Sequence, residues 1–348
     1  MLIGKECFND TELRAFFDSL GKVGICGITG RQDIVVDFGE LESFLSATLG
    51  LFAKDASLLD IAAKVDQDWN LFSSVSVGTQ ILKQTQDFRS EPLPKIQMSL
   101  YTSNISRVKE SWEHFKEEIR WERRYLVDKG SLSLDAEWDK LLRVAEPSII
   151  SPAQCFYRSR IHSEADSSVY SPDEMGAPPK ELACSGRANP AGIPYLYLCE
   201  HPSTTLYEVR ALYLDDVSVG RFELRESVPF LKIADFTTSL SLYDMYSIGA
   251  YPMEDMIRAH ILHKAINQDL SKPIRRYDST FEYIPTQFIC EYMRYEIGLD
   301  GIKYYSALRP KEINVVLFEP DNMICTEVFP VQITTTNIIS TPDLSQIL

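Results

Sequence analysis

Residues 185–210 read SGRANPAGIPYLYLCEHPSTTLYEVR, and this stretch decides the fold of the second half of the chain. It predicts a glycine-bounded loop, a short apolar strand at Tyr195–Leu198, a turn, and the start of a helix that carries Glu208. Gly186 and Gly192 allow the backbone to come close to a ligand, while the prolines restrict the conformations of the loop. The stretch therefore predicts a preformed pocket wall.

The same residues resemble the signature of the RES domain family, which is named for its Arg, Glu and Ser. That signature has Gly-Arg, aromatic-Asn-Pro, Gly-x-Pro, an apolar strand with a Tyr, and a Glu on the next helix. The chain departs from it at Ala188, where an aromatic residue is commoner. Upstream, Arg158 follows Phe156 and Tyr157 as the family's first Arg does. Downstream, the strand DGIKYYS ends in Ser306, the third name-giving residue.

The resemblance covers residues 151–319. It implies an ADP-ribosyltransferase-like fold and an enzyme that degrades NAD. It implies an α+β protein whose C-terminal domain has a central β core and whose N-terminal domain is mostly helical. The catalytic residues it implies are Glu208, Arg158 and Ser306. The residues it implies for NAD binding are Arg187, Tyr197, Gly186, Asn189 and Gln287. Because no base flanks Ser306 in the sequence, its hydroxyl is expected to hold the ribose or the nicotinamide amide.

Cleavage of the nicotinamide–ribose bond needs no acid at the leaving group, since nicotinamide departs neutral. A carboxylate that stabilises positive charge on the ribose meets the main requirement, and Glu208 is the candidate. Arg158 and Arg187 are expected to clamp the pyrophosphate or to orient Glu208. The face of Tyr197 can lie against the cationic nicotinamide ring, a contact worth ~0.5–2 kcal/mol.

NAD is thus the expected substrate, and no cofactor is expected. The acceptor stays open between water, which makes the protein a glycohydrolase, and inorganic phosphate, which makes it a phosphorylase. A protein acceptor is a third reading, an ADP-ribosyltransferase, and an RNA-sensing binding protein with an inactive RES-like domain is a fourth. No Gly-x-Gly-x-x-Gly fingerprint follows a strand, which argues against a dehydrogenase.

The composition argues against several further classes of protein. The net charge of −15 over 348 residues argues against broad nucleic-acid binding, which needs an excess of Lys and Arg. No stretch approaches the ~20 apolar residues of a membrane span, and no basic segment leads into a clean apolar run at the N-terminus. Seven cysteines in a chain of this size suit reduced thiols. A cytoplasmic protein with no membrane partner is expected.

Four segments are predicted: 1–38, 39–145, 151–320 and 321–348. The first is a degenerate cysteine-containing segment, because Thr29 stands where the last thiol of a Cys-x-x-Cys arm from Cys26 would be. Since structural zinc sites use four ligands, Cys7 and Cys26 alone do not predict a zinc site. The second segment resembles a helical HEPN-like regulatory module, the third is the RES catalytic domain, and the last is a strand and tail.

Four further features of the sequence carry predictions. Arg107 and His114 lie seven residues apart on one helix face, which fits either a surface pair or a HEPN ribonuclease. His260 and His263 share a helix face, but nothing completes a ligand set, so no metal is expected. Residues 163–181 predict a loop over the ligand, and Arg160 an ion pair.

As partners, the family resemblance implies an antitoxin in a toxin–antitoxin or phage-defence setting. RNA sensed by the N-terminal module and a homo-oligomer stay open, as does the activating trigger.

Overall fold

The computed structural model describes residues 1–53, 56–85, 100–124, 136–144, 146–163, 168–274 and 279–336. The chain divides into two compact units. The first comprises Met1–His114, Lys129–Ala145 and Thr238–His263, and the second comprises Phe115–Asp128, Glu146–Thr237 and Lys264–Leu348. Residues 238–263, predicted to belong to the catalytic domain, fall in the first unit, and Phe115–Asp128, predicted to belong to the helical module, fall in the second. The rest of the division into four segments stays a prediction.

Strands and helices follow one another along the whole described chain. The strands are β1 (Leu2–Gly4), β2 (Lys22–Ile25), β3 (Gln32–Asp37), β4 (Ser148–Ile150), β5 (Phe156–Ile161), β6 (Leu196–Cys199), β7 (Asp216–Leu224), β8 (Leu231–Asp235), β9 (Gly301–Tyr305), β10 (Ile313–Leu317) and β11 (Met323–Gln332). The α-helices are α1 (Thr11–Leu20), α2 (Gly39–Gly50), α3 (Leu58–Trp69), α4 (Val75–Leu82), α5 (Ser103–Trp121), α6 (Ala136–Val144), α7 (Pro202–Glu208), α8 (Leu242–Ser247), α9 (Met253–Ser271), α10 (Ser279–Glu282) and α11 (Ile284–Tyr292).

The first unit is mostly helical and includes a three-stranded antiparallel sheet of order β1-β3-β2. Helix α1 begins where the Asp10 side chain accepts from the Leu13 backbone N–H at 3.0 Å, the usual way in which a side chain caps a helix. Its Leu13 and Phe17 are fully buried. Cys7 and Cys26 are buried with their sulfurs 3.6 Å apart.

The second unit is built on an eight-stranded sheet of order β11-β7-β5-β6-β10-β9-β8-β4. Its pairs are antiparallel except for β8 with β9, which is parallel. Leu196 and Leu198 on β6 pack with Val315 and Leu317 on β10 in the core on one face of this sheet. Since side chains alternate along a strand, the residues between them point to the other face.

The predicted α+β architecture is confirmed, with the central sheet in the C-terminal part and the helices mostly in the N-terminal part. Among the described residues, no helix has both the length and the apolar character needed to span a membrane.

Candidate active site

A cavity of about 240 Å³ opens on the face of the sheet opposite that core. Its floor is a row of side chains across four neighbouring strands. Tyr304 on β9 lies opposite Asn314 on β10, Asn314 opposite Cys199 on β6, and Cys199 opposite Tyr157 on β5. Directly opposed residues of antiparallel strands share a face. The residues around the cavity are Tyr157, Arg158, Ser159, Tyr197, Leu198, Cys199, Thr205, Glu208, Val209, Tyr304 and Asn314.

Glu208 is the last residue of α7, and it borders this cavity. The helix begins at Pro202, where the missing N–H leaves no intrahelical bond unmade. Ser306 Oγ donates to Glu208 Oε1 at 2.6 Å, and Asn314 Nδ2 donates to the same oxygen at 2.8 Å. Within the described part of the chain, Oε2 has no hydrogen-bond partner. The carboxylate is therefore fixed through one oxygen and presents the other.

Ser306 has a different role from the one predicted. Its hydroxyl donates to Glu208 and accepts from the backbone N–H groups of Leu308 at 3.2 Å and Arg309 at 3.1 Å. A hydroxyl has one hydrogen to donate and two lone pairs to accept with. All three are in use, so the hydroxyl is not available to hold a ribose or a nicotinamide amide. Ser306 instead positions Glu208.

Asn314 is a site residue that the sequence analysis missed. Its side chain is 5% exposed, and its Oδ1 accepts a 3.2 Å hydrogen bond from the thiol of Cys199 while its Nδ2 donates to Glu208. The available signal was an amide inside the otherwise apolar strand INVVL, because a buried polar side chain needs a partner.

The loop before β6 is held by its own side chains. Asn189 Nδ2 donates to the carbonyls of Cys184 at 3.1 Å and Ile193 at 2.9 Å. Gln287 Nε2, on α11, donates to the carbonyls of Gly186 at 2.8 Å and Asn189 at 3.0 Å. These hydrogen bonds show that the side-chain amides of Asn189 and Gln287 shape the loop. They do not test binding, so the contacts of Gly186, Asn189 and Gln287 with NAD stay predictions.

Tyr197 connects that loop to the cavity. Its hydroxyl donates to Asn189 Oδ1 at 2.7 Å and accepts from the Ala188 N–H at 3.0 Å. Burial raises the pKa of Tyr197, so the phenol stays neutral. Gly186 has no room for a side chain, because a Cβ there would lie 2.5 Å from the Tyr197 hydroxyl oxygen. Ala188, where the family prefers an aromatic residue, is fully buried beside this bond.

Arg187 is not one of the residues that border the cavity, but its charge acts on Tyr304, which is one of them. That charge lowers the pKa of Tyr304 against the larger upward effects of burial, Tyr197 and Glu208. The guanidinium lies 5.5 Å from the centre of the Tyr283 ring. Its Nη1 is buried and, among the described residues, has no hydrogen-bond partner. Arg187 therefore offers an unused donor within electrostatic reach of Tyr304.

The guanidinium of Arg158 does not lie on the cavity face of the sheet. Arg158 lies opposite Gly220, one residue along from Tyr157, so its side chain points to the core face of the sheet. Its Nη1 donates to the carbonyls of Met175 at 2.6 Å and Gly176 at 2.8 Å. Burial and then the nearby Arg160 lower the pKa of Arg158 to about 10, which leaves it charged at neutral pH.

The predicted clamp of two arginines is therefore wrong in this geometry. Arg158 borders the cavity, but its guanidinium lies on the other side of the sheet from Glu208, and no ion pair joins it to Glu208 within the described residues. The orientation of Glu208 comes from Ser306 and Asn314 instead.

Residues 163–181 are described except for 164–167. A 3-10 helix, Pro172–Met175, places Met175 in the core on the face opposite the cavity, so this part of the segment does not cover the cavity floor. Arg160 donates to the Glu174 carbonyl and lies 4.5 Å from the centre of the Tyr170 ring. Among the described residues, Arg160 thus contacts a carbonyl and an aromatic ring instead of forming the predicted ion pair.

The remaining candidate groups lie in the first unit. Arg107 and His114 are both exposed on α5, and His260 packs 5.0 Å from Trp69, centre to centre. Over the described ranges of the chain, no cluster of three His, Cys, Asp or Glu side chains could hold a metal ion.

Comparison with known proteins gives one family. No protein of curated function matches the chain. Among solved structures, the crystal structure of the M. tuberculosis MbcT-MbcA toxin-antitoxin complex is similar, with a TM-score of 0.33 and 14% identity over 57% of this chain and 94% of that chain. The family model of the RES domain matches residues 156–334, just over half of the chain and the whole of the site described above. The protein belongs to the RES domain family.

Proposed function

We propose that the protein is a RES-type toxin or defence effector that cleaves the nicotinamide–ribose bond of NAD. The observation that carries this proposal is the state of Glu208. One of its oxygens is held by Ser306 and Asn314, and the other is free beside a cavity with aromatic walls. A fixed carboxylate with one free oxygen suits a reaction in which positive charge develops on a sugar.

Cleavage of the nicotinamide–ribose bond needs few other groups from the protein. The bond between the ribose C1′ and the nicotinamide nitrogen breaks, and its electron pair leaves with the nicotinamide, which departs neutral. The free Oε2 of Glu208 would face the developing oxocarbenium ion and accept a hydrogen bond from the ribose 2′-hydroxyl. Water as the acceptor yields ADP-ribose and a proton, whereas phosphate yields ADP-ribose phosphorylated at C1′.

The size of the cavity favours the nicotinamide riboside half of NAD. Its volume of about 240 Å³ is below the ~300–1,000 Å³ typical of whole drug-sized ligands. The ring of Tyr197 borders the cavity, and its face can lie against the cationic pyridinium at ~0.5–2 kcal/mol. The rest of the dinucleotide would extend past the rim.

Arg187 suits the anionic part of the ligand. Its buried Nη1 lacks a partner among the described residues, and a planar guanidinium pairs well with phosphate oxygens. We assign the pyrophosphate to Arg187 alone, because the Arg158 side chain lies on the far face of the sheet.

The test is NAD turnover by the purified protein, followed by chromatography of the products with and without phosphate. Glu208→Gln keeps the shape and removes the charge, so it should lower nicotinamide release at least ~100-fold. The matched control is Glu226→Gln, at an exposed turn position, which should behave as wild type. Full retention of NAD by folded wild-type protein in both buffers would contradict the proposal.

The family resemblance implies an antitoxin protein as the partner that controls the toxin. We propose it for this chain on that ground alone. A protein that co-purifies with this chain and relieves its growth arrest on co-expression would support the proposal, and the absence of any such protein from the source cells would count against it.

A further inference from the structure

We propose that Cys199 and Asn314 form a hydrogen-bond relay that positions Glu208, so that Oε1 is the anchored oxygen and Oε2 the one that meets the substrate. The catalytic meaning of the relay rests on the function proposed above. The relay itself rests on contacts within the sheet and can be tested without NAD.

The first step is the placement of the three groups. Asn314 and Cys199 are directly opposed in the β10–β6 pairing, so their side chains lie next to each other on one face of the sheet. The thiol of Cys199 donates to Asn314 Oδ1 at 3.2 Å, and Asn314 Nδ2 donates to Glu208 Oε1 at 2.8 Å. The backbone register therefore creates the relay.

The second step is the orientation of the Asn314 amide. An amide can turn by 180°, which would present its oxygen to Glu208 and repel the carboxylate. A donor at the Oδ1 position prevents this, and Cys199 supplies one. Burial, followed by the charges of Glu208 and Glu312, raises the pKa of Cys199, which keeps the thiol protonated and able to donate. Since Asn314 is 5% exposed and Cys199 also 5% exposed, water has little room to replace either partner.

The third step is the effect on Glu208. Two donors on Oε1 stabilise the charged carboxylate, because hydrogen bonds to an ionised acceptor are stronger than those between neutral groups. They also restrict rotation about the last side-chain torsion, which keeps Oε2 on the cavity side. Ser306 and Asn314 are thus positioning residues, and Cys199 positions Asn314.

The direct test is the ¹³C chemical shift of the Glu208 carboxyl at pH 7, measured by NMR with ¹³C-carboxyl glutamate, with the Glu208 signal assigned from its loss in Glu208→Gln. The signal should move in Asn314→Ala, which removes a charge-assisted donor to Oε1, and in Asn314→Asp, which replaces that donor with a second carboxylate. An unmoved Glu208 signal in folded Asn314→Ala would overturn the relay.

The cysteine variants test the orienting step and remain informative if Asn314→Ala does not fold. Cys199→Ala removes the donor to Oδ1, so the Glu208 carboxyl signal should move in the same direction as in Asn314→Ala and by a smaller amount. Cys199→Ser keeps a donor and should restore the wild-type position. The matched control is Cys325→Ala, another buried thiol, whose donor goes to the Glu327 carbonyl on β11, and it should have no effect. Equal positions of the Glu208 carboxyl signal in Cys199→Ala and Cys199→Ser would refute the orienting step.

Turnover supplies the second readout. At pH 7, kcat for NAD should fall about tenfold in Asn314→Ala with KM within about threefold. A rise in KM of that size with kcat unchanged would count against positioning through Glu208. If the wild type leaves NAD intact while the Glu208 carboxyl signal responds as stated, the relay stands and the proposed function fails. If NAD is cleaved and the signal does not respond, the reverse holds.

Discussion

The hydroxyl of Tyr197 gives the most direct test of how the binding loop is held. Tyr197→Phe keeps the ring that borders the cavity and removes two hydrogen bonds, one to Asn189 Oδ1 at 2.7 Å and one from the Ala188 N–H at 3.0 Å. Asn189 is 3% exposed and Ala188 fully buried, so water cannot readily replace the lost hydroxyl.

The magnitude follows from the two groups left without a partner. An unmet buried polar group costs about 1–3 kcal/mol, so the pair should cost about 2–4 kcal/mol of unfolding free energy after the gain from not burying a hydroxyl. With an m-value of about 3 kcal/mol/M in urea, the midpoint of unfolding should fall by about 1 M.

Urea unfolding of wild type and variant, followed by tryptophan fluorescence and circular dichroism, measures this. Tyr207→Phe is the matched control, because Tyr207 is 47% exposed and its ring keeps its contact with Arg309. A surface change of this kind should stay within about ±0.5 kcal/mol. If the two variants unfold at the same urea concentration with equal m-values, the hydroxyl does not hold the loop and the argument from buried polar groups fails.

Three other outcomes are expected. Arg187→Gln should raise KM for NAD about tenfold by loss of a charge-assisted bond, whereas Arg158→Gln should lower the urea midpoint and leave KM within about threefold, as steady-state kinetics and unfolding will show. Burial acts to raise the pKa of Asp235, but hydrogen bonds from Thr237 outweigh it and leave that pKa below its ordinary value. The stabilisation by Asp235 is thus present above about pH 4 and lost as pH falls, so Asp235→Asn should cost stability in urea at pH 7 and much less at pH 3. In growth assays Glu208→Gln should abolish toxicity and His114→Ala keep it; the opposite pattern would favour a ribonuclease.

Local signals in the sequence were enough to predict the frame of the site. The loop, strand and helix predicted from residues 185–210 are present, with β6 displaced by one residue from the predicted Tyr195–Leu198 and Glu208 at the end of α7. These elements depend on glycine, proline and apolar residues near one another in the chain, which is the information that a sequence pattern contains. The third name-giving residue, Ser306, also contacts Glu208 across 98 residues.

The sequence did not reveal which groups the side chains of Ser306 and Arg158 would contact. Ser306 was assigned to the ligand because the sequence shows no partner for it, yet the backbone of the next turn and Glu208 take up its whole hydroxyl. Arg158 was assigned to the cavity from its place after two aromatic residues. Its neighbour Tyr157 does reach the cavity, and that is why Arg158 cannot, since consecutive residues of a strand face opposite ways.

The site is therefore a property of strand register more than of the motif. Tyr304, Asn314, Cys199 and Tyr157 form one row across β9, β10, β6 and β5 only because three pairings are in register at once. A slip of one residue in β10 would replace Asn314 by Val315 in that row and would bury the amide in the apolar core on the other face. Such a slip would remove a donor from Glu208 and place an unpaired amide among leucines, so the apolar core that fixes the register also protects the carboxylate on the opposite side of the sheet.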